Sequence, residues 1–349
     1  MLKRVHVDKV VLASPRGFCA GVEKAIKALD WMTRIFEPPV YCYHEIVHNR
    51  FVVEYFESVG VIFVDDVTVV PPGAPVMLSA HGSPPQLVEA ARKDGRTVID
   101  AVCPLVTKVH HELKVRANKG YTVLYVGHED HEEAVGTMAV APEAVHLIQN
   151  REDIDAVASY EGPVALLSQT TLSQDEWQDL REYAEEVFPD IWMPGRSDLC
   201  FATTNRQAAL REITDGANAV VVIGSANSSN TMALTRVAEA QGCARVLRVN
   251  GASELPGDLY GTIAVTAGAS APESLIDEVL AFLNPTDGVT VKSVIVEDEY
   301  FPPPPELREM LKAIAALLDL TLQAPRPSTF DGQSDRGFTA GEVLSRFNR

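Results

Sequence analysis

Basic side chains are in short supply. Lysine and arginine number 30 against 48 aspartates and glutamates, a formal net charge of −18. That balance argues against nucleic acid or an anionic membrane surface as the main partner. Cysteine is scarcer still: five in 349 residues, an odd and widely spaced set. Such a set does not form a disulfide framework and fits a reducing cytoplasm. The paired C-x-x-C knuckles of structural zinc and the tight cysteine spacing of ferredoxins are both missing. No apolar run approaches the roughly 18 residues of a membrane span, and the Met1–His6 stretch lacks the apolar core of a signal peptide. A soluble, cytoplasmic protein is expected. No G-x-x-x-x-G-K-S/T loop or G-x-G-x-x-G fingerprint occurs, so a nucleotide is not indicated. What is abundant is apolar surface, 46% of residues, enough for a large core and more than one domain.

Three of the few cysteines share one local setting. The apolar run Val10–Ala13 leads through Pro15-Arg16-Gly17-Phe18 to Cys19, and a helical pattern follows over Val22–Met32. Val98–Val102 runs into Cys103-Pro104 and a helical stretch to about Asn118, with proline in its first turn. Asp198-Leu199-Cys200 opens a third helical pattern, Ala202 to about Thr214. A thiol at a strand-to-helix junction faces unpaired N–H groups and a positive helix end, which favour the thiolate. Three thiolates suit zinc completed by a histidine, or an iron–sulfur cluster with one iron lacking a cysteine. Cys42, inside a strand pattern, and Cys243, in a helix-to-strand turn, read as small buried residues.

After each of these cysteines the chain repeats a programme of helices and strands whose ends are polar loops. The strands are Val40–Tyr43, Val61–Val64 and Pro75–Leu78 in the first unit; Tyr121–Val126, Val145–Ile148 and Val164–Leu167 in the second; Ala219–Ile223, Arg245–Val249 and Thr262–Val265 in the third. Alternating strands and helices imply α/β layers with mostly parallel sheets, whose ligands gather beyond the C-terminal strand ends. The expected architecture is three similar α/β domains around a centre, dividing the chain at 1–102, 103–199 and 200–288. A tail follows over 289–349. Within it, Val289–Val296 reads as a strand, Phe301–Pro305 as a stiff extended segment, and Glu306–Leu320 as an amphipathic helix. Thr321–Arg349 is polar and turn-rich and is expected to be partly disordered.

The polar loops carry serine, threonine, asparagine, glutamine and histidine but few cations. Hydroxyls, amides, imidazoles and helix N-termini bind phosphate without a salt bridge. His44-Glu45-Ile46-Val47-His48 spells the H-E-x-x-H of zinc proteases, but that chemistry needs an established helix, and here the motif follows a strand. Glu132 and Glu133 follow His131 in a loop beside the expected site, where one of them is a candidate proton donor. Lys108, Lys114 and Arg116 are the candidates for a docking patch.

The runs P-R-G-F-C-A-G-V, H-E-I-V-H-N-R, S-A-H-G, C-P-L-V-T-K-V-H, S-Q-T-T-L-S, C-F-A-T-T-N-R-Q, N-S-S-N and T-A-G-A-S-A-P, in order from Pro15 to Pro272, closely resemble the 4-hydroxy-3-methylbut-2-enyl diphosphate reductase (LytB/IspH) family. The resemblance implies three α/β domains around a central 4Fe-4S cluster and reductive removal of an allylic hydroxyl, yielding isopentenyl and dimethylallyl diphosphate. It implies Cys19, Cys103 and Cys200 as the metal ligands, leaving one iron open. By the same resemblance His48, His81, His131, Thr170, Ser228, Ser229, Asn230 and Ser270 bind substrate, chiefly at the diphosphate, and Glu133 is the catalytic acid. Electrons are expected from a carrier such as ferredoxin or flavodoxin. Val102 stands where the family usually has threonine, which removes one hydrogen bond near the cluster. Nothing in the resemblance covers the chain beyond about Leu311. Two rivals remain on the residues alone. A cluster-bearing electron carrier leaves the polar loops without a use, and a zinc hydrolase on H-E-x-x-H leaves the three cysteines without one.

Overall fold

Short, nearly unbroken runs of valine, isoleucine and leucine make strands that can be covered on both faces, the condition for parallel sheets. In the computed structural model, which describes residues 6–322 and 335–348, every paired strand runs parallel to its neighbour. Strand β1 (His6–Ser14) comes first. A four-stranded sheet is then built from β2 (Val40–Tyr43), β3 (Val61–Val64), β4 (Pro75–Leu78) and β5 (Thr97–Asp100), in the order β3-β2-β4-β5. A three-stranded sheet follows from β6 (Thr122–Val126), β7 (Val145–Ile148) and β8 (Val164–Ser168), in the order β7-β6-β8. The third sheet contains β9 (Ala219–Ile223), β10 (Val246–Val249), β11 (Tyr260–Ala267) and β12 (Val289–Ser293), and it also takes in β1, in the order β10-β9-β11-β1-β12. Among the described residues no helix is long and apolar enough to cross a membrane.

Sheet membership departs from chain order at two strands. β1, expected with the 1–102 division, pairs instead with β11, from His6 opposite Tyr260 to Leu12 opposite Val265. β12, expected in the tail, lines the other side of β1. An apolar run specifies a strand but not its neighbours, and here the ladder continues past the strand end: Gly17 N–H reaches Ala267 O at 3.4 Å. The chain divides into two compact units, Met1–Cys19 with Leu105–Asp298, and Ala20–Pro104 with Glu299–Arg349. The first holds the three- and five-stranded sheets and the second the four-stranded one. Each sheet has its own core: Tyr43, Val76 and Leu78 in the four-stranded sheet, Leu124, Val126 and Leu166 in the three-stranded one, Val220, Val222 and Leu234 in the largest.

The expectation of partial disorder over Thr321–Arg349 is corrected where the chain is described; residues 323–334 and Arg349 lie outside the described residues. The helix begun near Glu306 spans Pro305–Leu322. Thr339 and Glu342 then form a reciprocal capping box for a short helix, Ala340–Leu344, with Ala340, Val343 and Leu344 buried. This segment covers the charged face of the helix Ala20–Ile35. Lys27, 4% exposed, donates to Asp335 O (3.2 Å) and Phe338 O (3.1 Å) and pairs with the Asp335 carboxylate at 3.3 Å. Glu23 accepts Ala340 N–H at 2.8 Å, and Arg346 pairs with Asp30 at 2.9 Å. The polar composition of the tail matches a polar helix face, so the segment orders without a large apolar core of its own. Lys27→Ala leaves the buried Asp335 carboxylate without its cation, although the Tyr300 hydroxyl still donates to it at 2.8 Å, and is expected to lower stability by about 3 kcal/mol. Denaturant unfolding of the two proteins measures this.

Candidate active site

The three helix-start cysteines are held in the same way. Cys19 directly precedes the helix Ala20–Ile35, Cys103 directly precedes the helix Pro104–Asn118, and Cys200 is the N-cap of the helix Phe201–Arg211. In every case the cysteine N–H donates to a carbonyl in the polar loop that closes a strand. Cys19 reaches Ala269 O after β11 (3.2 Å), Cys103 reaches Ala80 O after β4 (2.9 Å), and Cys200 reaches Thr170 O after β8 (2.9 Å). Cys200 Sγ accepts the Thr203 N–H at 3.2 Å and lies 2.9 Å from Thr203 Oγ1. The Cys200 loop is further tied down by Asp198, whose carboxylate accepts Ser168 N–H at 3.2 Å and pairs with Lys108 at 3.0 Å. None of the five cysteines is in a disulfide.

The expected thiolate character does not hold at Cys200. Loss of water pushes its thiol up to about 11, the nearby Cys19 adds to the rise, and the Thr203 hydrogen bonds only partly offset both. At Cys200 burial outweighs the helix N-terminus.

Glu133 and Thr170 form a second construction in the same unit. His131 caps the helix Glu132–Met138, its Nδ1 accepting the Glu133 N–H at 3.1 Å. That turn buries Glu133 to 2% exposure, while Glu132 stays partly exposed. The Glu133 carboxyl accepts Thr170 N–H on Oε1 (2.7 Å) and faces Thr170 Oγ1 with Oε2 (2.9 Å). Burial raises its pKa to about 7 against the pull of those two hydrogen bonds, and the Asp198 carboxylate raises it further. A carboxyl that is half protonated near neutrality is suited to deliver a proton.

Ser228, Ser229, Asn230, Thr170 and Ser270 are buried in this unit as well. Ser228 caps the helix Ser229–Ala240 through Thr231 N–H. Ser229 Oγ lies 3.2 Å from Gln169 Nε2 and 2.9 Å from Thr171 Oγ1. Asn230 donates from Nδ2 to Thr203 Oγ1 (3.3 Å) and accepts Ala269 N–H on Oδ1 (3.0 Å). It therefore touches both the threonine beside Cys200 and the loop that holds Cys19. Gln169, Thr171 and Thr203 fell inside recognised runs but had no assigned role. Their signal was a polar side chain next to a polar-loop residue, a pattern that caps and turns share.

The second unit carries Cys103, His48 and His81. The two imidazoles stack, with centroids 4.0 Å apart and planes 9° from parallel. His48 Nδ1 lies 3.2 Å from Glu45 Oε2. The H-E-x-x-H run is no helix: His44 sits at φ +57°, and the next helix, Arg50–Ser58, begins after its cap Asn49. The zinc-protease geometry is thereby excluded. Behind Cys103, Lys24 donates to Val102 O (2.7 Å) and Ala101 O (3.4 Å), and Asp100 accepts Val102 N–H at 3.0 Å. Burial lowers the Lys24 pKa, while the nearby Cys103 and Asp100 oppose that drop. Of the three candidates for a docking patch, Lys114 is exposed, whereas the other two side chains are engaged within the fold. Lys108 binds Asp198 and the carbonyls of Arg196 and Ser197, and the Arg116 guanidinium lies 3.8 Å from the centre of the Trp192 ring.

Parallel α/β sheets whose strand ends present cysteine sulfur, a buried carboxyl and rows of hydroxyl and amide groups define an α/β oxidoreductase of the iron–sulfur class. The chain matches the LytB protein family over residues 10–284 and belongs to it. It is 43% identical over 314 residues to a 4-hydroxy-3-methylbut-2-enyl diphosphate reductase of Rhodopirellula baltica, covering 88% of this chain and 98% of that protein. It is 44% identical over 311 residues to one of Acidothermus cellulolyticus, covering 87% and 92%. The fold is similar to the solved (E)-1-hydroxy-2-methyl-but-2-enyl-4-diphosphate reductase of Plasmodium falciparum, with TM-score 0.82 and 31% identity over 89% of this chain and 99% of that one.

Proposed function

We propose that this chain reduces 4-hydroxy-3-methylbut-2-enyl diphosphate, removing its allylic hydroxyl as water and yielding isopentenyl and dimethylallyl diphosphate, the last step of the methylerythritol phosphate route. The balance is two electrons and two protons consumed, one C–O bond broken, one C–H bond formed and one water released. Reductases of this name among the relatives support the substrate. The observation that carries the reading is the threefold tie of a cysteine N–H to a strand-end polar loop.

The donor set fits a 4Fe-4S cluster. Cys19, Cys103 and Cys200 are outside any disulfide, Cys200 already receives an N–H···S bond of the kind that tunes such clusters, and burial makes an unmetallated thiolate costly there. These residues are assigned as its three ligands, which would leave one iron without a cysteine. When bound, the cluster supplies the electrons one at a time. The chain's own groups do the rest. Protonated Glu133 hands its proton through Thr170 Oγ to the departing hydroxyl, so that water rather than hydroxide leaves. Ser228, Ser229, Asn230 and Ser270 bind the diphosphate by hydrogen bonds, with His48, His81 and His131 completing the substrate set. The reading carries a cytoplasmic location and a small one-electron carrier, ferredoxin or flavodoxin, as reductant. Neither nucleic acid nor membrane has a part in it.

Anaerobically reconstituted protein with a reduced viologen tests the reaction. Oxidation of the dye that depends on the allylic diphosphate, with both C5 diphosphates formed, is expected; dye oxidation without them would contradict it. Ser228→Ala should weaken substrate binding by roughly 1–3 kcal/mol if the phosphate oxygen it serves stays unpaired. The same change also removes a helix cap worth about 1 kcal/mol of stability. Lower stability with unchanged affinity would reduce Ser228 to a cap.

A further inference from the structure

A guanidinium closed off from water bridges the backbone on either side of two proposed ligands. Arg206 lies on the helix that Cys200 caps, and its side chain is 0% exposed. Nε and Nη2 both donate to Gly17 O, at 3.1 and 2.8 Å, and Nη2 also reaches Phe18 O at 3.2 Å. Nη1 donates to Ala202 O at 2.9 Å and to the two carboxylate oxygens of Glu297 at 3.0 and 3.1 Å. Gly17 and Phe18 lead directly into Cys19, and Ala202 is two residues past Cys200. One rigid, planar group therefore fixes the spacing of two cysteine loops 181 residues apart in sequence.

Glu297 completes the arrangement. It follows β12, pairs with the guanidinium and accepts Asn205 Nδ2–H at 3.0 Å. A buried charge is costly unless it is paired and hydrogen-bonded, and an apolar replacement of similar volume often serves stability as well. Here the donors are spent on carbonyls of the Cys19 loop, which points to geometry as the reason for the charge. Gly17 accommodates this grip. Its φ of +64° suits glycine, and an added Cβ would meet Ala271 O at 3.1 Å. Lysine cannot replace the fork, because an ammonium is a single point of donation.

We propose that Arg206, held by Glu297, is a positioning residue that sets the spacing of Cys19 and Cys200 and so the retention and potential of the iron–sulfur group they bind. The proposal rests on the assignment of both cysteines as ligands. Arg206→Lys keeps the charge and loses the fork. Glu297→Gln keeps the shape and leaves the guanidinium uncompensated, which favours the more negative, reduced state of a nearby cluster.

The test uses the full chain, reconstituted anaerobically, with three readouts: iron release to a chelator, midpoint potential by EPR titration, and thermal midpoint. Arg96 supplies a matched control, a shielded guanidinium that donates to Val70 O (2.9 and 2.6 Å) and Ala90 O (3.2 Å) and to no cysteine loop. Arg206→Lys is expected to release iron about tenfold faster than wild type, the scale of outer-sphere effects on metal sites, while Arg96→Lys releases it at the wild-type rate. Glu297→Gln is expected to shift the midpoint potential upward and, because the buried guanidinium loses its counter-charge, to lower the thermal midpoint as well. It keeps the proposal testable if Arg206→Lys does not fold. Wild-type release from Arg206→Lys, equal acceleration in Arg96→Lys, or an unmoved potential in Glu297→Gln overturns the positioning role. A wild-type chain that binds no cluster overturns the ligand assignment and this proposal with it, whereas a stable wild-type cluster indifferent to both variants overturns the positioning role alone.

Discussion

Serine at Cys19, Cys103 or Cys200 is expected to lower cluster-bound iron and sulfide at least about tenfold and to abolish turnover with it. A serine hydroxyl keeps its proton at neutral pH and is a poor iron ligand, and each of these sulfurs sits where no neighbouring cysteine of the same loop can substitute. The backbone ties of the three residues do not involve the side chain, so Cys→Ser leaves the loops in place and isolates the sulfur. Cys42 and Cys243 are the internal controls. Cys42 is 0% exposed within β2, and Cys243 lies in the turn between a helix and β10, its thiol raised by burial. Serine at either is expected to leave iron content near wild type, with a modest stability loss at Cys42. Loss of the cluster in Cys42→Ser with its retention in Cys103→Ser would mean the ligands are misassigned.

Glu133→Gln is expected to slow turnover by about 10²–10⁴-fold, the usual contribution of a general acid, with cluster content unchanged. The amide preserves the contacts: its oxygen still accepts Thr170 N–H and its NH₂ still faces Thr170 Oγ1, so only the transferable proton is lost. Glu132→Gln, on a partly exposed neighbour, should turn over normally. The pH dependence carries a sign. The Glu133 carboxyl, raised to about 7 by burial, is protonated below that value and ionised above it. The wild-type rate should fall as pH rises through about 7, and that limb should vanish in Glu133→Gln. A severe loss in Glu132→Gln with normal rates in Glu133→Gln would move the role to Glu132. Normal rates in both would take this loop out of the chemistry.

Short apolar runs between polar loops marked the strands well: β2, β3, β4, β7 and β9 begin and end at the residues the pattern picks out. Which strands become neighbours was not legible, because β1 joins β11 and β12 through contacts spanning most of the chain. Cysteines placed after strands and before helices were visible as a set. Their shared backbone tie was not, since an N–H to a distant carbonyl leaves no trace in residue type. Local rules misjudged Cys200 because helix-end electrostatics are read from sequence and desolvation is not. They failed similarly at H-E-x-x-H, where a left-handed His44 ends any helical spacing. Nothing in the sequence sets Arg206 apart from other helix cations, because its partners Gly17, Phe18 and Glu297 are all far from it along the chain.

The most direct test of the whole account is iron and acid-labile sulfide analysis of the wild-type chain purified and handled without oxygen, with EPR of the reduced sample. About four iron and four sulfide per chain, as a 4Fe-4S cluster requires, with a reduced-state signal that the allylic diphosphate perturbs, is the result expected. Zinc in place of iron, or iron without sulfide, would contradict it.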